Sequence, residues 1–400
     1  MKNRYVLFLF MLTGLFAQFD WQDNGVPIRQ GAHIEWFKTV DVGDNGTMIF
    51  AWTDTRQGLR DIYAQKVDVQ GNKLWGENGI TVVDTDGRQE DPILITDGNG
   101  GAYITWRDFN DDPDPNGDIY AQHILSDGSL GWQQDRGLPL ATAAGKHDGL
   151  NMCSDGQNGA YVIWRDYSEN SYGSVYGTHL SENGSSALDG GAPILTDESY
   201  HNGVSIEKAG SGHAVLVWAD VSIDDDANIR AQRINQNIET LWSAPDQGGI
   251  MVSSALFDQS YPKVTYYDEN YSIIVWEDHR NTVSGDQSDI YYQFLDVNGN
   301  SLLTDNGESA CIDEASQIKP RVKASSQGAF IIWEDYRNYN IGNDIDIYSQ
   351  KVDHLGNIYW DNNGIPIVSE VGDQNNERLT VDNAGGVYYV WMDKRNNDNT

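Results

Sequence analysis

A short hydrophobic strand ending in Trp-x-Asp recurs seven times along this chain, and it constrains the fold more than any other feature. The copies are Trp52/Asp54, Trp106/Asp108, Trp164/Asp166, Trp218/Asp220, Trp276/Asp278, Trp333/Asp335 and Trp391/Asp393. Successive tryptophans are 54, 58, 54, 58, 57 and 58 residues apart. A period that steady means one supersecondary unit used over and over. A repeat array can close into a single domain, so the 400 residues need not divide into several.

Each repeat reads as four segments. A short strand comes first, often opened by Gln-x-x-Pro, as at 89–92, 259–262 and 317–320. A glycine turn leads into the Trp-x-Asp strand, where Ala102, Ile104 and Trp106 share a face at the period of two that marks β-structure. A polar loop of variable length precedes a third strand built on Asp-Ile-Tyr-x-Gln, at 61–65, 118–122, 289–293 and 346–350, with weaker copies at 174–178 and 228–232. The last segment has the form Asp-x-x-Gly-x-x-x-Trp followed by Asn-Gly, clearest at Asp68 to Gly79 and Asp353 to Gly364. Four short antiparallel strands in a repeat of about 57 residues predict an all-β fold, a β-propeller of about seven four-stranded blades. A solenoid is the alternative.

The two ends fit that scheme. Trp21 to Ile28 is a fourth-strand segment with no earlier strands before it, and Trp391 to Asp393 is a second strand whose third and fourth do not follow. An N-terminal strand completing the last blade would close the ring. The third strand of that blade is expected after Thr400, which would make the sequence a fragment truncated at its C-terminus. Residues 1–17 read as a secretory signal: Lys2 and Arg4 precede an apolar run from Tyr5 to Ala17 that is short for a membrane span. The propeller then occupies 18–400, with no membrane insertion after cleavage.

Thirteen Trp and 21 Tyr supply a packed core, while a net charge of −34 argues against nucleic acid and anionic lipid as partners. Such a charge suits an exported protein, or one whose carboxylates are partly neutralised by cations. Cys153 and Cys311 fall at different strand positions and are expected to be free, buried thiols.

A residue repeated in every unit sets packing rather than one active site, so the fourteen Trp-x-Asp residues are assigned to structure, with Arg56, Arg280, Arg337 and Arg395 as partners of the aspartates. The loops after Trp-x-Asp vary and are the expected binding face. The most acidic carries Asp108, Asp112, Asp114, Asn116 and Asp118, an oxygen-ligand alternation suited to Ca2+, although the EF-hand glutamate is replaced by His123. Poorer versions are 224–226 and Asp344/Asp346. The eight histidines scatter over unlike repeat positions, and no His-Glu-x-x-His or Gly-x-Ser-x-Gly occurs. No catalytic residue is assigned.

The combined motif Trp-x-Asp-x-Arg, Asp-Ile-Tyr-Ala-Gln, Asp-x-x-Gly-x-x-x-Trp resembles repeats in large exported proteins of Gram-negative bacteria, many of which end in a type IX secretion sorting domain. The resemblance implies a secreted or cell-surface protein. The turn Ser126 to Trp132 is also similar to the Asp-box of sialidase-like propellers, itself a structural turn. The reading is a monomeric binding module for a protein or carbohydrate at the loop face, with a sialidase-like hydrolase or lyase as the alternative.

Overall fold

A computed structural model describes residues 26–30, 35–109, 117–132, 135–187, 189–221, 226–242, 248–282, 287–339, 344–382 and 384–395. Within them, antiparallel sheets follow one another in sequence order. Sheet 1 places Glu35–Val42, Met48–Asp54, Asp61–Val67 and Ile80–Val83 side by side. Sheets 2 to 6 repeat this meander over 89–141, 147–195, 200–253, 259–311 and 317–368; sheet 3 adds a two-residue strand, Gly184–Ser185. Sheet 7 is described as two strands, Gln374–Val381 and Val387–Asp393. No helix among the described residues is long and apolar enough to cross a membrane.

The hydrophobic core is a series of six clusters, each shared by two consecutive sheets. Alternation along the second strand explains this. Ala102, Ile104 and Trp106 face sheet 1, while Tyr103 between them faces sheet 3. Both faces of the strand are therefore buried, which is why it reads as a nearly continuous apolar run. The Trp-x-Asp indoles of sheets 2 to 6 all pack on the preceding sheet. The fourth-strand tryptophans reach the other way: Trp75, Trp132 and Trp242 donate Nε1–H to the carbonyls of Ser126, Glu182 and Val297 in the following sheet, at 3.1–3.2 Å. Each of these three indoles thus ties its own sheet to the next.

In sheets 1, 5 and 6 one network joins three repeat motifs. In sheet 5, Trp276 Nε1 donates to Asp278 Oδ2 at 2.8 Å, and Arg280 gives its backbone N–H and Nε–H to Oδ1. The Arg280 guanidinium lies 4.0 Å from the ring centre of Tyr291, from Asp-Ile-Tyr, and donates to the carbonyl of Asn306, from Asn-Gly. Sheet 6 repeats the arrangement around Asp335, whose buried carboxylate accepts Trp333 Nε1–H at 2.8 Å and both the backbone N–H and Nε–H of Arg337 at 2.9 Å. Arg337 lies over Tyr348 and donates to Asn363 O. In sheet 1, Trp52 donates to Asp54 at 3.1 Å, and Arg56 lies over Tyr63 and donates to Asn78 O. Sheet 7 keeps the Trp391–Asp393–Arg395 part in an exposed setting. Sheets 2, 3 and 4 have no Arg two residues after the Asp, and Trp106, Trp164 and Trp218 Nε1 have no hydrogen-bond partner among the described residues. In sheets 2 and 4 arginines from other positions, Arg136 and Arg230, pair with Asp108 and Asp220, so the arginine two residues on and the tryptophan bond are features of some sheets and not of all seven.

The repeat glutamine also has a fixed task. Gln65 accepts the N–H of Lys66 and Trp75 and donates to Gly76 O, clamping the turn between third and fourth strands. Gln232, Gln293 and Gln350 do the same. Cys153 and Cys311 are both free and buried, and burial pushes both thiols above their usual range.

Candidate functional site

Antiparallel strand order puts the turns between strands 1 and 2, and between 3 and 4, at one end of the sheets. The loops after Trp-x-Asp and the connections between sheets lie at the other. A cleft of about 1020 Å3 opens at the first of these ends, lined by turns of sheets 2, 3 and 4. Its floor holds two equivalent pairs. His123 Nε2 lies 2.8 Å from Asp97 Oδ2, and His179 Nε2 lies 2.8 Å from Asp155 Oδ2. In each, Oδ1 of the aspartate caps its own turn, accepting the N–H of Asn99 and Gly101 or of Gln157 and Gly159. Gln236 of sheet 4 adds a bond to Asp155.

Burial acts to raise both carboxyls, but the histidine and backbone N–H bonds outweigh it. Asp97 is held below its ordinary value, and Asp155 is lowered to about 2. Tyr103 stacks on His123 with ring centres 4.5 Å apart and donates to Asn158 O, while burial pushes its phenol well up. Exposed Asn99, Gln157, Glu182 and Asn183 form the rim. The site offers polar donors and acceptors on an exposed rim above a buried floor of Tyr103 and the two His–Asp pairs.

These histidines correct the expectation that the eight scatter over unlike positions. His123 and His179 share the position after the repeat glutamine, where sheets 1, 4 and 6 carry Lys66, Arg233 and Lys351. Lys66 and Arg233 bridge to carbonyls at Gly100, Val297 and Ala209 instead. His147 and His201 share a second position, the one that Gln89, Gln259, Gln317 and Gln374 hold at the start of the first strand. Each begins a bulge whose third residue has positive φ: Asp91, Gly149, Gly203, Tyr261, Lys319 and Asn376. Aligning the repeats by that glutamine, rather than by Trp-x-Asp alone, would have exposed both pairs.

Of the proposed calcium ligands, Asp112, Asp114 and Asn116 lie outside the described residues, as do Asp224 and Asp225 of the poorer loop. Asp108 faces Asp118 across two paired strands and is ion-paired with Arg136 at 3.1 Å. The signal segment and residues 21–25 also lie outside.

The position of Asp118 in sheet 1 is Asp61, which is fully buried, with neither oxygen hydrogen-bonded among the described residues. In sheets 5 and 6 the equivalent Asp289 and Asp346 accept bonds from Asn281 and Asn338, at 2.7 Å each. Sheet 1 has Gln57 there. Burial, then Asp84 and Asp54, raise the Asp61 carboxyl from 3.8 to about 6. A raised folded-state value means that ionisation costs stability; the cost is absent below pH 3.8, grows as pH rises and is complete above about 6. Asp61→Asn is therefore expected to stabilise the protein by on the order of 2–3 kcal/mol at pH 7 and hardly at all at pH 4. Urea midpoints at the two pH values check this.

No protein-family model matches the sequence, and no curated protein matches it. Among solved structures, the BP39L lectin from Burkholderia pseudomallei superposes with a TM-score of 0.51 at 11% identity, covering 83% of each chain. A puromycin hydrolase gives 0.48 at 12% identity, covering 88% of this chain, which spans about half (49%) of that one. A polysaccharide lyase of family PL25, an ulvan lyase, gives 0.46 at 9% identity, covering 85% of this chain and 83% of the other. At such identities the likeness is one of fold. The protein is all-β and of propeller type, built of successive four-stranded antiparallel sheets.

Proposed function

We propose that this protein is an exported β-propeller binding module that takes a carbohydrate in the cleft between sheets 2, 3 and 4. One observation carries the reading: side-chain amides and carboxylates ring a cleft of about 1020 Å3 around Tyr103 and two fixed His–Asp pairs. Planar amide and carboxylate groups match the vicinal hydroxyls of a sugar. The fold likeness to a lectin is consistent with it. Asp97 and Asp155, held below their ordinary values, are poorly suited to serve as the proton donor of a glycoside hydrolase.

The blades are proposed to number seven. Gln30 N–H donates to Asn78 Oδ1, as Ser254 and Ile312 at the ends of fourth strands donate to Asn306 and Asn363 of the following sheet. Residues 26–30 thus sit against sheet 1 as an outer strand of a preceding blade would, the place that sheet 7 takes in a closed ring. Calcium in the 108–118 loop would rest mainly on Asp112, Asp114 and Asn116, since Arg136 already pairs with Asp108.

The test is titration calorimetry against a panel of neutral and acidic oligosaccharides, with product analysis of the same mixtures. Binding without turnover is expected. Gln157→Ala/Asn183→Ala, confined to the exposed rim, should weaken it about tenfold or more. Unchanged affinity in that variant would move the site elsewhere, and released sugar would establish the hydrolase or lyase.

A further inference from the structure

At the opposite end from the cleft, sheet 4 departs from the repeat at His201, where two carboxylates meet it. His201 replaces the first-strand glutamine, Asp197 lies four residues before it, and Asp220 is the Trp-x-Asp aspartate of a sheet that lacks the following arginine. One ligand atom from each lies within 4.8 Å of the others. We propose that Asp197, His201 and Asp220 form a site for a divalent cation of the zinc class.

The orientation of His201 argues for it. The ring is fully buried, with Nδ1 3.2 Å from the carbonyl of Gly173 and Nε2 2.8 Å from Asp197 Oδ1. A carbonyl can only accept, so Nδ1–H donates to it, which aims Nε2 at the Asp197 carboxylate. A divalent cation that displaces the proton shared by Nε2 and the carboxylate would take both as ligands. A backbone carbonyl behind a histidine is also the usual outer partner of a metal-bound imidazole, fixing its tautomer and direction.

Asp220 supplies the second observation. In sheets 5 and 6 both oxygens of the equivalent Asp278 and Asp335 are taken by tryptophan and arginine. In sheet 4 Arg230 approaches Oδ2 at 2.6 Å, whereas Oδ1 is enclosed with no hydrogen-bond partner among the described residues. The Ser199 hydroxyl faces both carboxyls. One imidazole and two carboxylates are a donor set that suits Zn2+ or Co2+ better than Ca2+, which prefers oxygen alone. Two aspartates offset the cation's charge, and Arg230 limits the affinity.

Sheet 3 is an internal comparison. His147 there occupies the same position, 3.5 Å from Asp166, but Ala143 stands where Asp197 stands in sheet 4. With one ligand fewer, no site is proposed there.

The experiment is Co2+ titration of the chelator-treated protein, followed by visible absorption, with thermal melts in Zn2+ and in chelator. The expected result is a ligand-field spectrum at one equivalent, displaced by Zn2+, and a melting temperature raised by Zn2+. His201→Gln restores the residue of four other sheets and should fold, yet weaken binding by about a hundredfold or more; Asp197→Asn should act in the same direction. No ligand-field spectrum, or one unchanged in His201→Gln, would overturn the assignment and leave His201 as an ion-paired core residue.

Discussion

Replacing Gly307 with valine is expected to cost roughly 2–5 kcal/mol and to lower the urea midpoint accordingly. Gly307 has φ +81°, and a Cβ there would lie 2.5 Å from the Trp276 ring and 2.6 Å from the carbonyl of Tyr292. Left-handed backbone costs an ordinary residue about 1–2 kcal/mol. Neither obstacle can swing away: one is a fully buried indole and the other is main chain, so overpacking adds about 1–3 kcal/mol. The same contact recurs at Gly79, Gly137, Gly191, Gly249 and Gly364, so the glycine of the repeat, with or without Asn before it, is a packing requirement as well as a turn. Gly76→Ala is the control, because φ is +79° but nothing lies within 4 Å, leaving only the backbone cost. Equal losses at the two positions would show that contact with the indole is unimportant.

Asp278→Ala should be as damaging, at about 3 kcal/mol. The carboxylate is fully buried and serves three donors at once: the Trp276 indole, the Arg280 backbone N–H and the Arg280 guanidinium. Its loss leaves a buried indole N–H unpaired and a partly buried guanidinium uncompensated, the situation in which breaking a pair costs far more than the pair contributes. Arg280 keeps 18% of its side chain exposed and can turn towards water, which places the cost at the lower end. The double variant Asp278→Ala/Arg280→Ala should cost less than the two singles together, by about 1–3 kcal/mol. Asp335→Ala should behave alike in sheet 6, where the carboxylate serves the same three donors from Trp333 and Arg337. Additive losses in chemical denaturation would mean that the network is not coupled.

The repeat was legible because each motif acts within its own sheet or on the neighbour one period away. Trp276, Asp278 and Arg280 are within five residues, and Gln293 clamps a turn ten residues on. Such short-range duties leave a mark in every copy that performs them. The Trp-x-Asp strand looked amphipathic from one face only; its other alternate residues, such as Tyr103, serve the next interface, so the strand is buried on both sides.

The candidate sites were not legible in the same way. Asp97, His123, Asp155, His179 and Gln236 come from three sheets, and the cleft exists only because those sheets stand side by side. The histidines among them are exceptions to the repeat, and a motif built from what the copies share discards exceptions. His147 and His201 are exceptions of the same kind, although the glutamine they replace is itself part of the Gln-x-x-Pro signal.

By itself the sequence determined the strand class, the period, the turn glycines and the assignment of the tryptophans to packing, since all of these follow from local spacing and side-chain volume. Only the tertiary structure decided which end of the sheets carries the cleft and which polar residues converge there or around His201. Those outcomes depend on how neighbouring sheets pack, and residues brought together from different sheets leave no local pattern by which to recognise each other.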